Sequence, residues 1–384
     1  MIAYNQAWLD ALIAKENARK WHLKGLISDE KWKAVQEGNI SNFRSHNVFV
    51  RIGLGLFCFV LLVAAMGLAA MIFIPDSDTG FALFSIFWGI VWIVLLELWS
   101  IQSSRHHGSG IDDMLLYFGA GSIIFGSCSL LNYSQPMLVY YCLALPFLVA
   151  GSIRYLDRLM ALASFLCALF IVLSLVKDIP RLALYLLPFA GMLFSAGAYF
   201  FARHGQRQYA WRHWHGQLML VELLALATFY ASGNYWVIQQ AGVEFFQLEQ
   251  VPIAWFFWLF TFLVPAAYIY WGLRRKDRHL LDIGIGCIAA AVFTFRYYFH
   301  VMSLAWASVI GGAILFATAY FSIQYLRKNE GTYTYAEDSD TSILQEIEEQ
   351  FIEQGIANQP GATPDKKDSF GGGQFGGGGA SGEF

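Results

Sequence analysis

The sequence predicts an all-α fold, a polytopic transmembrane helical bundle of about ten spans with both termini cytoplasmic, on three observations. Hydrophobic residues make up 57% of the 384 positions and charged residues only 14%, against roughly a quarter charged in soluble domains. Apolar runs recur at about the 20-residue length that crosses a bilayer as a helix. They are continuous, whereas an outer-membrane barrel needs short segments alternating apolar and polar residues. Third, an inside N-terminus followed by ten spans puts 22 of the 25 Lys and Arg residues on the cytoplasmic side, as the positive-inside rule requires. The outer side keeps Lys177, Arg181 and Arg296, and its longest loop, 233–252, carries Glu244 and Glu249 but no basic residue.

Residues 1–47 precede the bundle. Trp8, Leu9, Leu12 and Ile13 fall at helical spacing, Gly25 interrupts, and Ser28 caps a second helix holding Trp32 and Val35. This is a cytoplasmic helical hairpin, read either as a collar on the bundle or as a docking site for a partner. No removable signal peptide is expected, because no basic stretch leads into a short apolar run with a cleavage site.

The bundle occupies 48–328. Spans are predicted near 50–74, 81–101, 114–132, 136–152, 159–176, 181–201, 216–232, 253–272, 280–298 and 304–326. Pro146, Pro188 and Pro265 fall inside spans, where a proline can free carbonyls to line a cavity. Gly286 with Ala290, and Ser308 with Gly312, would let the last two helices approach closely. The cysteines, Cys58, Cys128, Cys142, Cys167 and Cys287, lie in apolar runs without C-x-x-C spacing and read as small core residues, not a disulfide framework or a zinc site.

A cytoplasmic acidic amphipathic helix and linker follow at 329–369. Ile343, Ile347, Phe351 and Ile352 make an apolar stripe among Glu346, Glu348, Glu349 and Glu353. Its acidic face would be repelled by anionic headgroups, so it should lie against protein. Residues 370–384 form a glycine-rich tail punctuated by Phe370, Phe375 and Phe384. Glycine loses much backbone entropy on ordering and buries no side chain, so disorder is expected there. Ile343, Ile347, Phe351, Phe370, Phe375 and Phe384 are the candidate contacts for a protein partner or for self-association.

The segment Trp21-His-Leu-Lys-Gly-Leu-Ile-Ser-Asp-Glu-Lys-Trp32, with the run from Phe43 into the first span, resembles an uncharacterised family of bacterial multi-pass membrane proteins. That family, a domain of unknown function, opens with a cytoplasmic helical segment. The resemblance implies a bacterial inner-membrane location and brings no activity. The run from Phe370 to Phe384 is similar to the glycine-rich tails of TPM-domain envelope proteins, which implies a shared cytoplasmic interaction.

A charge inside the membrane costs about 2.5–3.5 kcal/mol at a helix centre, which makes Glu97 and Glu222 candidates for an intramembrane polar site, either sharing one polar cavity or each lying near the inner interface paired with a basic loop residue or a tryptophan indole. Arg296, Tyr297 and His300 are candidates for an outer-face site receiving an anionic group, with snorkelling the alternative for the arginine. Asp112, Asp113 and Asp282 read as caps at inner helix ends. No phosphate loop, nucleophile elbow or H-E-x-x-H occurs, so catalysis is not expected, nor is a metal or cofactor. Scattered basic residues and a net charge of -3 exclude a nucleic-acid surface. Membrane lipid is the expected surrounding. The two functional readings are a transporter or flippase-like carrier of a small or lipidic substrate, and a non-enzymatic scaffold or sensor recruiting partners through its cytoplasmic termini.

Overall fold

The computed structural model describes residues 2–23, 25–38, 42–43, 48–73, 77–131, 134–177, 183–246 and 251–299, with single positions between 309 and 324. Apart from those positions, the expected tenth span at 304–326 lies outside the described residues. So do His300, the acidic helix at 342–356 and the tail, and with them Ile343, Ile347, Phe351, Phe370, Phe375 and Phe384.

The described residues are helical throughout. The N-terminal pair is α1 (Gln6–Leu23) and α2 (Asp29–Gly38), followed by α3 (Val48–Phe73), α4 (Asp78–Leu95), α5 (Ile111–Ser129), α6 (Met137–Tyr155) and α7 (Arg158–Lys177). Then come α8 (Ala183–Gln206), a 3₁₀ segment (Tyr209–Trp214), α9 (His215–Ala231), α10 (Tyr235–Phe246), α11 (Ala254–Arg275) and α12 (Arg278–Phe299). Among the described residues eight helices are long and apolar enough to cross a membrane, and α9 with α10, bent by 72° at their junction, form either a broken ninth span or a re-entrant loop. One expectation needs correcting. The outer loop at 233–252 is not a plain loop: three residues after α9 ends at Ala231, Asn234 accepts hydrogen bonds from the Trp236 and Val237 amides, capping α10.

The surface is that of a membrane protein. On α3 only Gly55, Cys58, Leu62 and Ala69 are buried, a narrow stripe, while Ile52, Leu56, Phe57, Leu61, Met71 and Ile72 face outward. Polar groups sit inside instead, among them Ser85, Ser195, Thr261 and Glu222, all fully buried. Such an inversion is favourable only in an apolar solvent.

Successive helices pair as hairpins: α4 with α5, α6 with α7, α8 with α9 and α11 with α12. The tightest is α4–α5. Ala82, Ser85 and Gly89 lie three and four residues apart on α4 and meet Gly126, Ser122 and Gly119 of α5. A Cβ on Gly89 would fall 2.8 Å from the Gly119 carbonyl oxygen, and one on Gly126 2.5 Å from that of Ala82. The Ser85 hydroxyl donates to the Ser122 carbonyl at 3.0 Å between them. Small residues here let two backbones touch. Gly284 brings α12 close to Ile269 and Tyr268 of α11 in the same way, while the approach expected of Gly286 and Ala290 to Ser308 and Gly312 concerns a span that lies outside the described residues.

The α6–α7 and α11–α12 turns are built alike. Leu156 and Lys276 adopt left-handed conformations (φ 56° and 55°), which ends the first helix. Asp157 and Asp277 then accept from the Met160 and Leu280 amides, which starts the second. Both turns read Arg-x-x-Asp-Arg, at 154–158 and 274–278. The three prolines lie within α6, α8 and α11 without ending them. Of the cysteines, Cys58, Cys167 and Cys287 are buried as expected, but Cys142 is exposed and Cys128 half-buried; all five are free.

Candidate functional site

The charged residues gather at the end of the bundle where α4, α6, α8 and α11 finish and α5, α7, α9 and α12 begin. Glu97 lies in a π-helical segment, Leu96–Ser103, that continues α4. The wider winding closes on a hydrogen bond from the Ser104 amide to the Trp99 carbonyl at 2.8 Å. Arg154, at the end of α6, holds Glu97 with two parallel bonds of 2.6 and 2.8 Å, and the Tyr155 hydroxyl donates to it at 2.7 Å. This fork geometry satisfies both carboxylate oxygens.

Glu222, midway along α9, is 0% exposed. Arg203 of α8 approaches it at 3.2 Å and also pairs with Asp277, while the Gln206 amide donates to Glu222 at 2.7 Å. The two glutamates therefore have different arginines and are not brought into a common cavity. Pairing of each glutamate with a basic residue is one of the two sequence expectations, but which arginine is not legible, because the partners lie 57 residues apart for Arg154–Glu97 and 74 for Arg203–Asp277.

Three further contacts tie this end together. Arg51 pairs with Asp113 at 2.6 Å, Tyr117 donates to Asp157 at 2.8 Å, and Asp112 accepts from the Gly108 and Ser109 amides, closing the loop before α5. Asp112 and Asp113 thus sit at a helix start, as expected, and Asp282 lies 3.8 Å from Arg278 one turn away. That same loop brings Gly110, at φ 88°, so close to α3 that a Cβ would lie 2.1 Å from the Arg51 carbonyl oxygen.

Onto this end α1 is clamped. The Ala3 amide donates to the Arg154 carbonyl at 2.9 Å. Tyr4 is buried with its ring 4.5 Å from that of His107 and 5.9 Å from Phe43. Asp10 accepts two bonds of 2.8 Å from Arg212 and one of 2.9 Å from His213. The bonds from Arg212 first, and from His213 next, pull its carboxyl down to about 2. His107 goes down as well, because burial disfavours the imidazolium more than Asp112 supports it. By contrast, α2 buries none of its residues, and Trp21 and Leu26 beside it are 52% and 70% exposed.

Beside the charged end lies a cavity of about 520 Å³ between α6, α7, α8, α9 and the 3₁₀ segment. Leu145, Val149, Phe165, Phe194 and Val221 make its deep wall, and Trp211 and Trp214 its end wall. Ile153 and Phe201, both about half exposed, also line it, so it reaches the outer face of the bundle. The Trp214 indole donates to the Ile153 carbonyl at 2.9 Å, which fixes that wall. Neither Glu97 nor Glu222 lines it. A second, smaller cavity of about 340 Å³ lies between α8, α9 and α11. The sequence reading missed both, since cavities form between helices that periodicity treats singly.

At the opposite end, Arg296 and Tyr297 close α12. Tyr297 is about half exposed with its ring 6.2 Å from Trp236, and the Nη1 of Arg296 is buried without a hydrogen bond among the described residues. Near them Asn234 joins Tyr230 and Thr294 in a buried network, at 2.9 and 3.1 Å. No family model matches the chain, and comparison with curated proteins and with solved structures returns no match.

Proposed function

We propose that this membrane protein is a carrier of a lipidic substrate, whose apolar tail occupies the cavity between α6 and α9. The cavity carries the reading. At about 520 Å³ it falls in the range of roughly 300–1,000 Å³ typical of small-molecule sites. Its lining is apolar, it reaches the lipid-facing surface, and tryptophans, which favour the membrane interface, stand at one end. The paired glutamates serve this reading as anchors that hold the helix ends together, and Arg-x-x-Asp-Arg in both hairpin turns places such anchors on either side of α8–α9. The charge distribution favours a bacterial inner membrane with this end facing the cytoplasm.

Transbilayer movement of a fluorescent phospholipid analogue in proteoliposomes tests the proposal. The wild type should accelerate it over protein-free vesicles, and Ala161→Trp, which fills the cavity, should abolish the acceleration. Equal rates in wild-type and protein-free vesicles would overturn it.

The scaffold reading is favoured by one observation, the wholly unburied α2 with Trp21 and Leu26 exposed next to it. It expects a stoichiometric protein partner in a pull-down of the full chain, lost either with Trp21→Ser and Leu26→Ser or, if the tail is the contact, in a chain ending at Asp338.

A further inference from the structure

We infer that the α6–α9 cavity takes a glycerophospholipid, with the guanidinium of Arg158 on its phosphate and the amide of Gln217 on its ester region. This rests on the proposed carriage of a lipid and names the headgroup chemistry that carriage would recognise.

Gln217 is 7% exposed, lines the cavity, and makes no hydrogen bond among the described residues. A buried amide without a partner costs free energy comparable to a lost hydrogen bond, so one that faces a cavity points to a polar group on the occupant. Arg158 enters from the rim. It begins α7 one turn before Ala161, which lines the cavity, and its side chain crosses to α9 directly beside Gln217. A Cβ on Gly216 would lie 2.9 Å from Arg158 Nε and 3.0 Å from Nη2, so glycine at 216 is what admits the guanidinium there.

Among the described residues the exposed Arg158 has no counter-ion. It stands at a helix N-terminus, where the dipole opposes a cation. Its neighbour Asp157 is already taken by Tyr117 and the Met160 amide, and among the described residues Arg158 forms no ion pair. The equivalent residue in the other Arg-x-x-Asp-Arg turn, Arg278, has Asp282 at 3.8 Å, one turn on; Arg158 has Leu162 there. One of two like turns has lost the carboxylate, and it is the one that opens on the larger cavity. Trp211 and Trp214 set the depth: tryptophan favours the headgroup level, so Arg158 lies where a phosphate does and the wall toward Leu145 lies among acyl chains. The eight residues from Ile153 to Leu145 span about 12 Å of helix, enough for the upper part of one chain.

The test is lipid binding to the full-length protein in detergent, read by native mass spectrometry and thermal shift, with dioleoylphosphatidylglycerol and dioleoylglycerol as probes. The tails are identical and only one probe carries phosphate. The wild type should bind the phospholipid about tenfold more tightly than the diacylglycerol. Arg158→Gln should remove that difference while leaving diacylglycerol binding unchanged, Gln217→Leu should weaken both, and Ala161→Trp should abolish both. Inorganic phosphate should not displace the phospholipid, and displacement would instead assign the rim to a free anion. Equal binding of the two probes, or an Arg158→Gln variant that keeps the preference, would overturn the headgroup assignment and leave the carrier reading standing. Undiminished binding of both in Ala161→Trp would remove the cavity as the site, and both readings with it.

Discussion

Arg203 stands between two carboxylates, Glu222 on α9 and Asp277 on the α11–α12 turn, and that position decides which substitution hurts most. Arg203→Met leaves two acids without a counter-charge and should cost about 3–5 kcal/mol. Glu222→Gln keeps the Arg203–Asp277 pair and the amide shape and should cost about 1–2 kcal/mol. Thermal unfolding midpoints of the purified variants check the order, and a larger loss in Glu222→Gln would refute it. His107 gives a second prediction. It is buried against Tyr4 and Phe43, with Asp112 and Arg51 the charges acting on it. Its pKa is lowered in the folded state, so its contribution is present above the unfolded value of about 6.5 and is lost as pH falls below it. Asp10, folded at about 2 and otherwise 3.8, contributes above 3.8 and loses that only as pH falls through 2. The protection of the α1 amides, taken as exchange relative to the intrinsic chemical rate at each pH, should therefore fall from about pH 7.5 to 5.5 in the wild type and stay constant in His107→Phe.

At the scale of elements, helix existence was legible and helix partnership was not. Span positions follow from mean hydropathy over a window, which depends on neighbours in sequence alone. The bend between α9 and α10 depends on Asn234 meeting Thr294, 60 residues away, and the π-helical winding at Glu97 has no periodicity of its own. Gly119 and Gly126, small residues seven apart, and Gly89 on the facing span carry the pattern of a close approach, but the pattern does not say which two spans face one another. The α4–α5 contact makes a direct prediction. Gly89→Leu should separate the two helices and lower the unfolding midpoint far more than Gly286→Leu, which meets nothing among the described residues. Comparable losses would show that the close approach is unimportant.

For the whole molecule, the outcome turns on how charge is distributed between surface and interior. Counting basic residues by loop yields an expected topology because the rule needs only their positions. The same residues, Arg51, Arg154, Arg203 and Arg212, prove to be the ties between distant helices, which no loop count contains. Glu97 and Glu222, singled out by their position in apolar runs, each pair with an arginine of their own. Limited proteolysis should show the difference between the two N-terminal helices. Trypsin should cut first in α2, at Lys31 or Lys33, and spare α1 until Asp10→Asn loosens it. Early cutting within α1 of the wild type would mean that the clamp does not hold.

The clamp between Asp10 and Arg212 also has a history in time. The two residues are 202 apart in the chain, so during synthesis at about 5–20 residues per second the first waits roughly 10–40 s for the second to be made. By the end of that interval six helices, α3 to α8, have been made and can enter the bilayer, while α1 has had only Arg154 and the loop before α5 to rest on once these appear. The N-terminal helix is thus the first element translated and among the last secured. A ribosome-stalled chain ending before Arg212 should expose α1 to chaperones that the finished protein no longer meets.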